Sequence, residues 1–341
     1  MSKRNQQLLC GLTKTDRIIE IGPLHSPLTP KAAGWMTTVV DHASRDALVA
    51  KYAGHQNVDP SQIQDVDIIW SEGALHDAFP AAAQGSYGWL IASHVIEHLP
   101  DVVRFLDSAA RLLDPEHGVL ALAVPDKRWC FDLFRPVSTT GQALAAHRAR
   151  AQRHLPERLF DHHAYSAFDC GRPGWGREKL SHLQLATRLG EAKAAFDGWS
   201  DAPAAHYVDC HAWQFTPSSF ELLILELGEL GAADWRVDWI APQPSTEFTA
   251  HLRRGRRQFT SPQECEARRM DLLYGIVREL REQADWLLDD SITPSVGAVM
   301  RRIDRLASRL AARPQNLHPI RSALTALLPV RRMIARWRGR I

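Results

Sequence analysis

The sequence predicts an α/β protein with a doubly wound, mixed sheet of seven strands. Short apolar runs alternate with helical patterns from residue 17 to residue 125, which is typical of parallel strands joined by crossover helices. Two later apolar runs, separated by the turn-forming segment APQPS, predict an antiparallel hairpin that closes the sheet. Beyond Pro262 the sequence is charged with helical periodicity, which predicts a C-terminal helical extension.

The strands are assigned from runs of β-branched and aliphatic residues. In chain order they span residues 17–21, 37–41, 67–70, 88–92, 119–124, 235–240 and 246–252. The predicted helices span residues 45–53, 75–82, 101–113 and 216–230. Between residues 126 and 210 the regular pattern gives way to a segment rich in histidine, arginine, aromatic residues and glycine, which predicts a substrate-binding or lid insertion.

Composition excludes several classes of protein. The 341 residues are 45% hydrophobic and 23% charged, so a mainly disordered chain is excluded. No apolar run is long enough to span a membrane, and the first ten residues lack the apolar stretch of a secretory signal, so the expected location is the cytoplasm. The five cysteines stand at least 40 residues apart, which favours reduced thiols.

The charge is distributed unevenly. Residues 301–341 carry eleven arginines against the single acid Asp304, whereas the whole chain has a net charge of +2. The preceding residues are therefore acidic, which argues against a nucleic-acid partner. The last 25 residues, 317–341, mix apolar residues with arginine, a pattern that suits peripheral contact with an anionic inner membrane, docking on a partner, or packing on the chain's own domain.

The most informative motif lies at the end of the first predicted strand, in the segment IIEIGPLHSP at residues 18–27. Gly22 permits close backbone approach to a nucleoside cofactor, and Glu20 supplies a polar group beside it. Asp41 ends the second strand about 20 residues later, where an acid binds ribose hydroxyls. This spacing is common to nicotinamide and S-adenosylmethionine sites, and the glycines of a dinucleotide fingerprint are missing.

Together with ASHVIEHLPD at 92–101, AVPDKRWCFDLFRP at 123–136 and HAWQFTPSSFELL at 211–223, these segments resemble the class I S-adenosylmethionine-dependent methyltransferases. In particular, the sequence resembles the branch associated with bacterial polysaccharide (glycosyltransferase) loci, and the resemblance covers roughly residues 15–255. It implies a Rossmann-like methyltransferase domain over residues 1–260, with the insertion at 126–210 and a basic helical extension at 261–341.

The resemblance also implies a cofactor, S-adenosylmethionine, and the residues that bind it. Glu20 and Gly22 would face its methionine and ribose portion, Asp41 its ribose hydroxyls, and His42 its adenine. The full expected set is Glu20, Gly22, Pro23, Asp41, His42, Trp70, Ser71, Glu72, Ser93 and His94. The structural alternatives are that Glu20 caps a neighbouring helix and that Asp41 begins a turn.

Three residues are candidates for the reaction itself. His94 is the first candidate for a general base, because an imidazole takes a proton from a hydroxyl near neutral pH. His98 and Asp126 are the others, and the alternative is that both histidines merely hold Glu97 and the following helix in place.

An acceptor is expected to contact residues of the insertion. Lys, Arg and His suit sugars and their phosphates, and tryptophan stacks on sugar rings. The expected residues are Lys127, Arg128, Trp129, His162, His163 and His211, with a surface ion cluster as the alternative for the first two. No metal site is predicted, because neither spacing nor a further carboxylate fixes one around Asp161, His162, His163 and His211.

The expected reaction is O-methylation of a sugar in a bacterial surface polysaccharide or its precursor, with a glycosyltransferase as the expected protein partner. One alternative is a small-molecule, quinone-like acceptor, which would require an apolar pocket. The other is a non-catalytic methyltransferase fold that acts as a scaffold in a glycan assembly complex.

Overall fold

The computed structural model describes residues 2–55, 57–200 and 208–288. The chain divides after Leu280 into two compact units, and the sheet with its helices lies in the first. The strands are β1 (Arg17–Ile21), β2 (Met36–Asp41), β3 (Ile68–Ile69), β4 (Trp89–Ser93), β5 (Val119–Pro125), β6 (Ala167–Asp169), β7 (Leu183–Leu185), β8 (Trp235–Pro242) and β9 (Glu247–Arg254). The helices are α1 (Lys3–Leu8), α2 (Arg45–Tyr52), α3 (Val102–Leu112), α4 (Thr140–Arg148), α5 (Pro156–Tyr165), α6 (Leu189–Asp197), α7 (Pro217–Glu229) and α8 (Pro262–Leu287).

Seven strands form one sheet in the order β3-β2-β1-β4-β5-β9-β8. The first five are parallel, and β9 joins β5 in the antiparallel direction with β8 on the outer edge. The order reverses between β1 and β4, which is the switch point of a doubly wound sheet. The predicted Rossmann-like fold is confirmed.

Helix and strand boundaries follow from local chemistry. Every residue of β5 is buried, because a central strand with helices on both faces has no polar side. The Asp101 carboxylate accepts a hydrogen bond from the backbone N–H of Arg104 at 2.9 Å and so caps α3, whose apolar face packs into the core. Thr216 and Ser219 form a capping box at the start of α7, and Pro217 occupies its first turn.

Three features differ from the predicted elements. Residues 75–82 do not form one helix, because Pro80 separates two short 3₁₀ turns, Leu75–Ala78 and Ala81–Ala83. The insertion contains α4, α5, α6 and a small β6–β7 ribbon. The unpredicted helix α1 packs against β5 and β9.

The C-terminal extension is helical as far as it is described, through α8. No helix within the described ranges is long and apolar enough to cross a membrane. Residues 317–341, for which peripheral membrane contact is expected, lie outside the described residues.

Candidate active site

The carboxyl ends of β1 to β4 lie side by side and bring the expected cofactor residues to one edge of the sheet. Ile21 of β1 lies beside Val40 of β2 and Ala92 of β4. Asp41, the last residue of β2, lies beside Ile69 of β3. The residues collected at this edge are Gly22, Pro23, Asp41, His42, Trp70, Ser71, Glu72, Ser93 and His94.

Gly22 begins the turn that leaves β1. Its φ of +63° lies in the left-handed region, which glycine enters without steric cost. Its N–H donates to the carbonyl of Val40 at 2.8 Å, so the turn starts close against β2. A Cβ at this position would meet Val95 Cγ2 at 3.9 Å, an ordinary contact, so the backbone conformation and not lack of space favours glycine here.

The Glu20 carboxylate holds the loop that follows β1. It is buried and accepts hydrogen bonds from the backbone N–H of Leu28 (2.6 Å), the backbone N–H of Thr29 (3.0 Å) and the Thr29 hydroxyl (2.7 Å). Burial raises the pKa of Glu20, and these three hydrogen bonds act in the opposite direction. Glu20 therefore fixes the loop path, and its direct contact with a cofactor stays a prediction.

Asp41 and Trp70 present polar and aromatic groups at the same edge. Asp41 Oδ1 lies 2.7 Å from both the backbone nitrogen and Nδ1 of His42. The Trp70 ring stacks on Phe105 with centroids 6.5 Å apart, and its Nε1–H donates to the carbonyl of Gly73 at 3.2 Å. A carboxylate for ribose hydroxyls, an aromatic ring and a glycine turn at one sheet edge fit the chemistry of S-adenosylmethionine.

The edge beside β4 is completed by an unpredicted pair, Arg4 of α1 and Glu247 of β9. Arg4 Nε donates to Glu247 Oε1 at 2.5 Å, and its Nη2 donates to Ser93 Oγ at 2.6 Å. His94 Nε2 lies 2.7 Å from the other Glu247 oxygen, and His94 has a left-handed φ of +55°. Non-glycine residues rarely adopt that conformation, and such exceptions cluster at functional sites.

Glu247 stabilises the charged form of His94, and His94 and Arg4 stabilise the charged form of Glu247. Burial acts to raise the pKa of Glu247, but hydrogen bonds from His94 and Arg4 outweigh it and lower the value to about 2. Burial acts to lower the pKa of His94, but Glu247 and Glu97 outweigh it and raise the value. Glu247 was detectable from the sequence, because the antiparallel return places the first residue of β9 opposite Pro125, the last residue of β5.

Removal of the Arg4 guanidinium is expected to destabilise this edge. Arg4→Ala removes the bonds to Glu247 and Ser93, and we expect the free energy of unfolding to fall by about 1.5 kcal/mol. Arg4→Lys should recover only part, because an ammonium cannot reproduce the forked geometry. Urea unfolding followed by circular dichroism measures both values. Lys3→Ala on the exposed side of α1 is the control, and an equal loss in that variant would contradict this role.

A second histidine group lies where the turn after β4 meets the segment before α7. His98 Nδ1 lies 2.7 Å from Asp209 Oδ1, and His211 Nδ1 lies 2.5 Å from Asp132 Oδ2. The two imidazoles are perpendicular with centroids 4.6 Å apart. Phe131 separates His211 from His162, with centroid distances of 4.5 and 5.8 Å. Three expected residues, His98, His162 and His211, therefore lie in one neighbourhood; His163 is the neighbour of His162 on α5.

The segment after β5 is buried. Asp126 forms a buried ion pair with Arg128, with distances of 2.8 Å from Nε and 2.5 Å from Nη2. Lys127 donates to the carbonyl of Leu133 at 2.9 Å, and burial lowers its pKa to about 8. Trp129 is also buried, with the Arg177 guanidinium 4.5 Å from its ring centroid. These contacts give the four residues 126–129 structural partners, and their placement does not support contact with an acceptor.

Comparison with known proteins agrees with this arrangement over the first half of the chain. Residues 4–172 match the family model described as a methyltransferase domain. No curated protein matches the sequence.

Three solved structures resemble the chain at TM-scores below 0.4. A protein described as a putative Zn-dependent alcohol dehydrogenase from Rhodobacter sphaeroides has a TM-score of 0.39 and 15% identity, covering 74% of this chain and 89% of its own. The CcbJ methyltransferase from Streptomyces caelestis has a TM-score of 0.38 and 12% identity, covering 74% and 94%. A SAM-dependent methyltransferase from Methanosarcina mazei has a TM-score of 0.35 and 12% identity, covering 75% and 99%.

The assignment rests on the strand order and on the family match, which support S-adenosylmethionine as the cofactor. Over residues 4–172 the chain is similar to a methyltransferase domain.

Proposed function

We propose that the protein transfers the methyl group of S-adenosylmethionine to a hydroxyl of a sugar in a bacterial surface polysaccharide or its precursor. The observation that carries the proposal is the group of histidine–carboxylate pairs beside Ser93. There His94, His98 and His211 each hydrogen-bond a carboxylate, of Glu247, Asp209 and Asp132 respectively. Paired imidazoles and carboxylates suit an acceptor with many hydroxyls, whereas a quinone-like acceptor would require an apolar wall.

The residues of the sheet edge support the donor half of the reaction. Gly22, Asp41 and Trp70 are the residues that would hold the cofactor, which supplies an electrophilic methyl group when it is bound. Displacement at that methyl group depends mainly on alignment of the two reactants. The rigid strand ends that carry these three residues provide such alignment.

His94 is the residue best placed to take the proton of the acceptor hydroxyl. The Glu247 carboxylate accepts a hydrogen bond from Nε2, which places the imidazole proton on that nitrogen. In the neutral ring the Nδ1 lone pair is then the proton acceptor. The side chain is 41% exposed, so part of the ring is open to solvent.

Activity measurements test this proposal. Purified protein is incubated with S-adenosylmethionine and a panel of nucleotide sugars, free hexoses and uronic acids, with a catechol as the aromatic, quinone-like comparison. We expect S-adenosylhomocysteine release and a sugar product heavier by one methylene unit. His94→Gln should lower kcat about 100-fold, whereas His55→Gln, on the exposed surface after α2, should not change it.

Two results would contradict the proposal. Methylation of the catechol without methylation of any sugar would mean that the acceptor is a small, quinone-like molecule and not a sugar. Folded protein that fails to bind S-adenosylmethionine would favour the scaffold alternative, and the search would move to protein partners such as a glycosyltransferase.

A further inference from the structure

Three side chains with metal-binding groups converge beside the turn after β4. Glu97 and His98 lie on the 3₁₀ turn Ile96–His98, and His211 lies on the segment before α7. The two segments are joined by their backbones, because the N–H groups of Ala212 and Trp213 donate to the carbonyl of Glu97 at 2.7 and 3.2 Å. The relative position of the three side chains is therefore fixed by main-chain hydrogen bonds.

The distances suit a shared ion. Glu97 Oε1 lies 3.7 Å from His98 Nε2 and 4.0 Å from His211 Nε2, and the three ligand atoms all lie within 4.8 Å of one another. Ligands about 2.1 Å from a tetrahedral ion stand roughly 3.4 Å apart. The distances of 3.7 and 4.0 Å from Glu97 Oε1 exceed that value by about 0.3 and 0.6 Å.

The Glu97 carboxylate is the clearest sign of a missing ligand. It is 1% exposed, and among the residues that the structure describes neither of its oxygens has a hydrogen-bond partner. The nearest imidazole nitrogens, 3.6 to 4.0 Å from Oε1, are beyond hydrogen-bonding distance. Buried carboxylates are nearly always hydrogen-bonded, paired or bound to a metal.

Each of the two histidines also contacts a carboxylate through Nδ1, the arrangement that is characteristic of metal-bound imidazoles. Asp209 contacts Nδ1 of His98 at 2.7 Å, and Asp132 contacts Nδ1 of His211 at 2.5 Å. A carboxylate on Nδ1 places the ring proton there and directs Nε2 toward the ligand. Asp132 is held in turn by Arg135 at 2.8 Å.

We propose that Glu97, His98 and His211 bind one divalent transition-metal ion, with zinc the ion that this ligand set favours. Two imidazole nitrogens and one carboxylate suit zinc, manganese or iron, whereas magnesium prefers oxygen ligands alone. Three protein ligands leave at least one coordination position for water or an acceptor oxygen. The proposal reverses the expectation of no metal, and it makes His98 a ligand in place of a general base.

Metal binding is measured on the full chain after removal of metals, without methyl donor or acceptor, so the result does not depend on the proposed function. Titration with Zn²⁺ is followed by calorimetry, and titration with Co²⁺ by its visible ligand-field absorption, which distinguishes nitrogen and oxygen ligands from thiolates. We expect one equivalent to bind. Glu97→Gln should lower the affinity at least 100-fold, and Asp132→Asn about 10- to 100-fold.

A matched control separates this site from any other histidine. His147 Nδ1 lies 3.0 Å from Asp101 Oδ2, as in the two proposed ligands, but His147 is outside the cluster. His147→Gln should therefore leave the affinity unchanged. Glu97→Gln keeps the shape of the side chain and removes a buried charge, so its thermal unfolding temperature without metal should not fall.

The proposal is overturned if folded wild-type protein binds no stoichiometric ion, or if Glu97→Gln binds as tightly as wild type. Either result would mean that Glu97 is not a metal ligand.

Discussion

Replacing Arg128 by methionine is expected to lower the free energy of unfolding by about 3–5 kcal/mol. The reason is that Asp126 and Arg128 are 1% and 2% exposed, so loss of the guanidinium leaves a buried carboxylate without its countercharge. Among the described residues, the Asp126 side chain would then keep the hydrogen bond from the backbone N–H of residue 128, at 3.2 Å. Urea unfolding followed by circular dichroism measures the change.

Two further variants test whether this loss of stability comes from the buried charge. Arg111 and Asp107 form an exposed pair at 2.9 Å, and Arg111→Met should cost no more than about 0.5 kcal/mol. The double variant Asp126→Leu/Arg128→Met removes both buried charges and should recover much of the lost stability. If Arg128→Met costs no more than Arg111→Met, the pair does not have the structural role that we assign to it.

Asp41→Ala is expected to weaken S-adenosylmethionine binding by roughly 100-fold. Two charge-assisted hydrogen bonds to ribose hydroxyls contribute about 1.5 kcal/mol each at the lower end of their range, and each 1.4 kcal/mol is a factor of ten. Calorimetric titration with the donor and with S-adenosylhomocysteine measures the affinity. Both ligands should lose affinity equally, because their ribose groups are the same.

The control for this experiment lies on the next helix. Asp46 is 97% exposed in the first turn of α2, and Asp46→Ala removes the same charge five residues away. Its affinity should stay within a factor of two of wild type. If Asp41→Ala binds the donor as tightly as wild type, the ribose site does not lie at the end of β2.

The sheet was predictable because parallel strands carry a strong local signal. The bounds of β1 match the prediction, and the other six strands of the sheet differ by one or two residues at their ends. The one predicted helix that failed contains Pro80, whose ring and missing N–H end a helix. The helices of the insertion were not recognised, because α4 and α6 are short and rich in alanine, with little apolar periodicity to separate them from a loop.

The site was predictable only where it follows from strand order. Asp41 and Ser93 end the two strands that flank β1, so their convergence follows from the fold class. Arg4 reaches the same edge from the first helix, and no local pattern encodes a contact across 243 residues. The group of Glu97, His98 and His211 also depends on tertiary structure, since Glu97 and His211 meet only when the segment before α7 pairs with the turn after β4.

The hydrogen bond between Arg4 and Glu247 can form only late in synthesis of the chain. One partner lies on the first helix and the other on the last strand of the sheet, 243 residues later. At ~5–20 residues per second, a ribosome needs on the order of 10 to 50 seconds to make the chain between them. This edge is therefore completed only after β9 has been made, and a nascent chain that stops before β9 lacks the carboxylate that contacts Arg4 and His94.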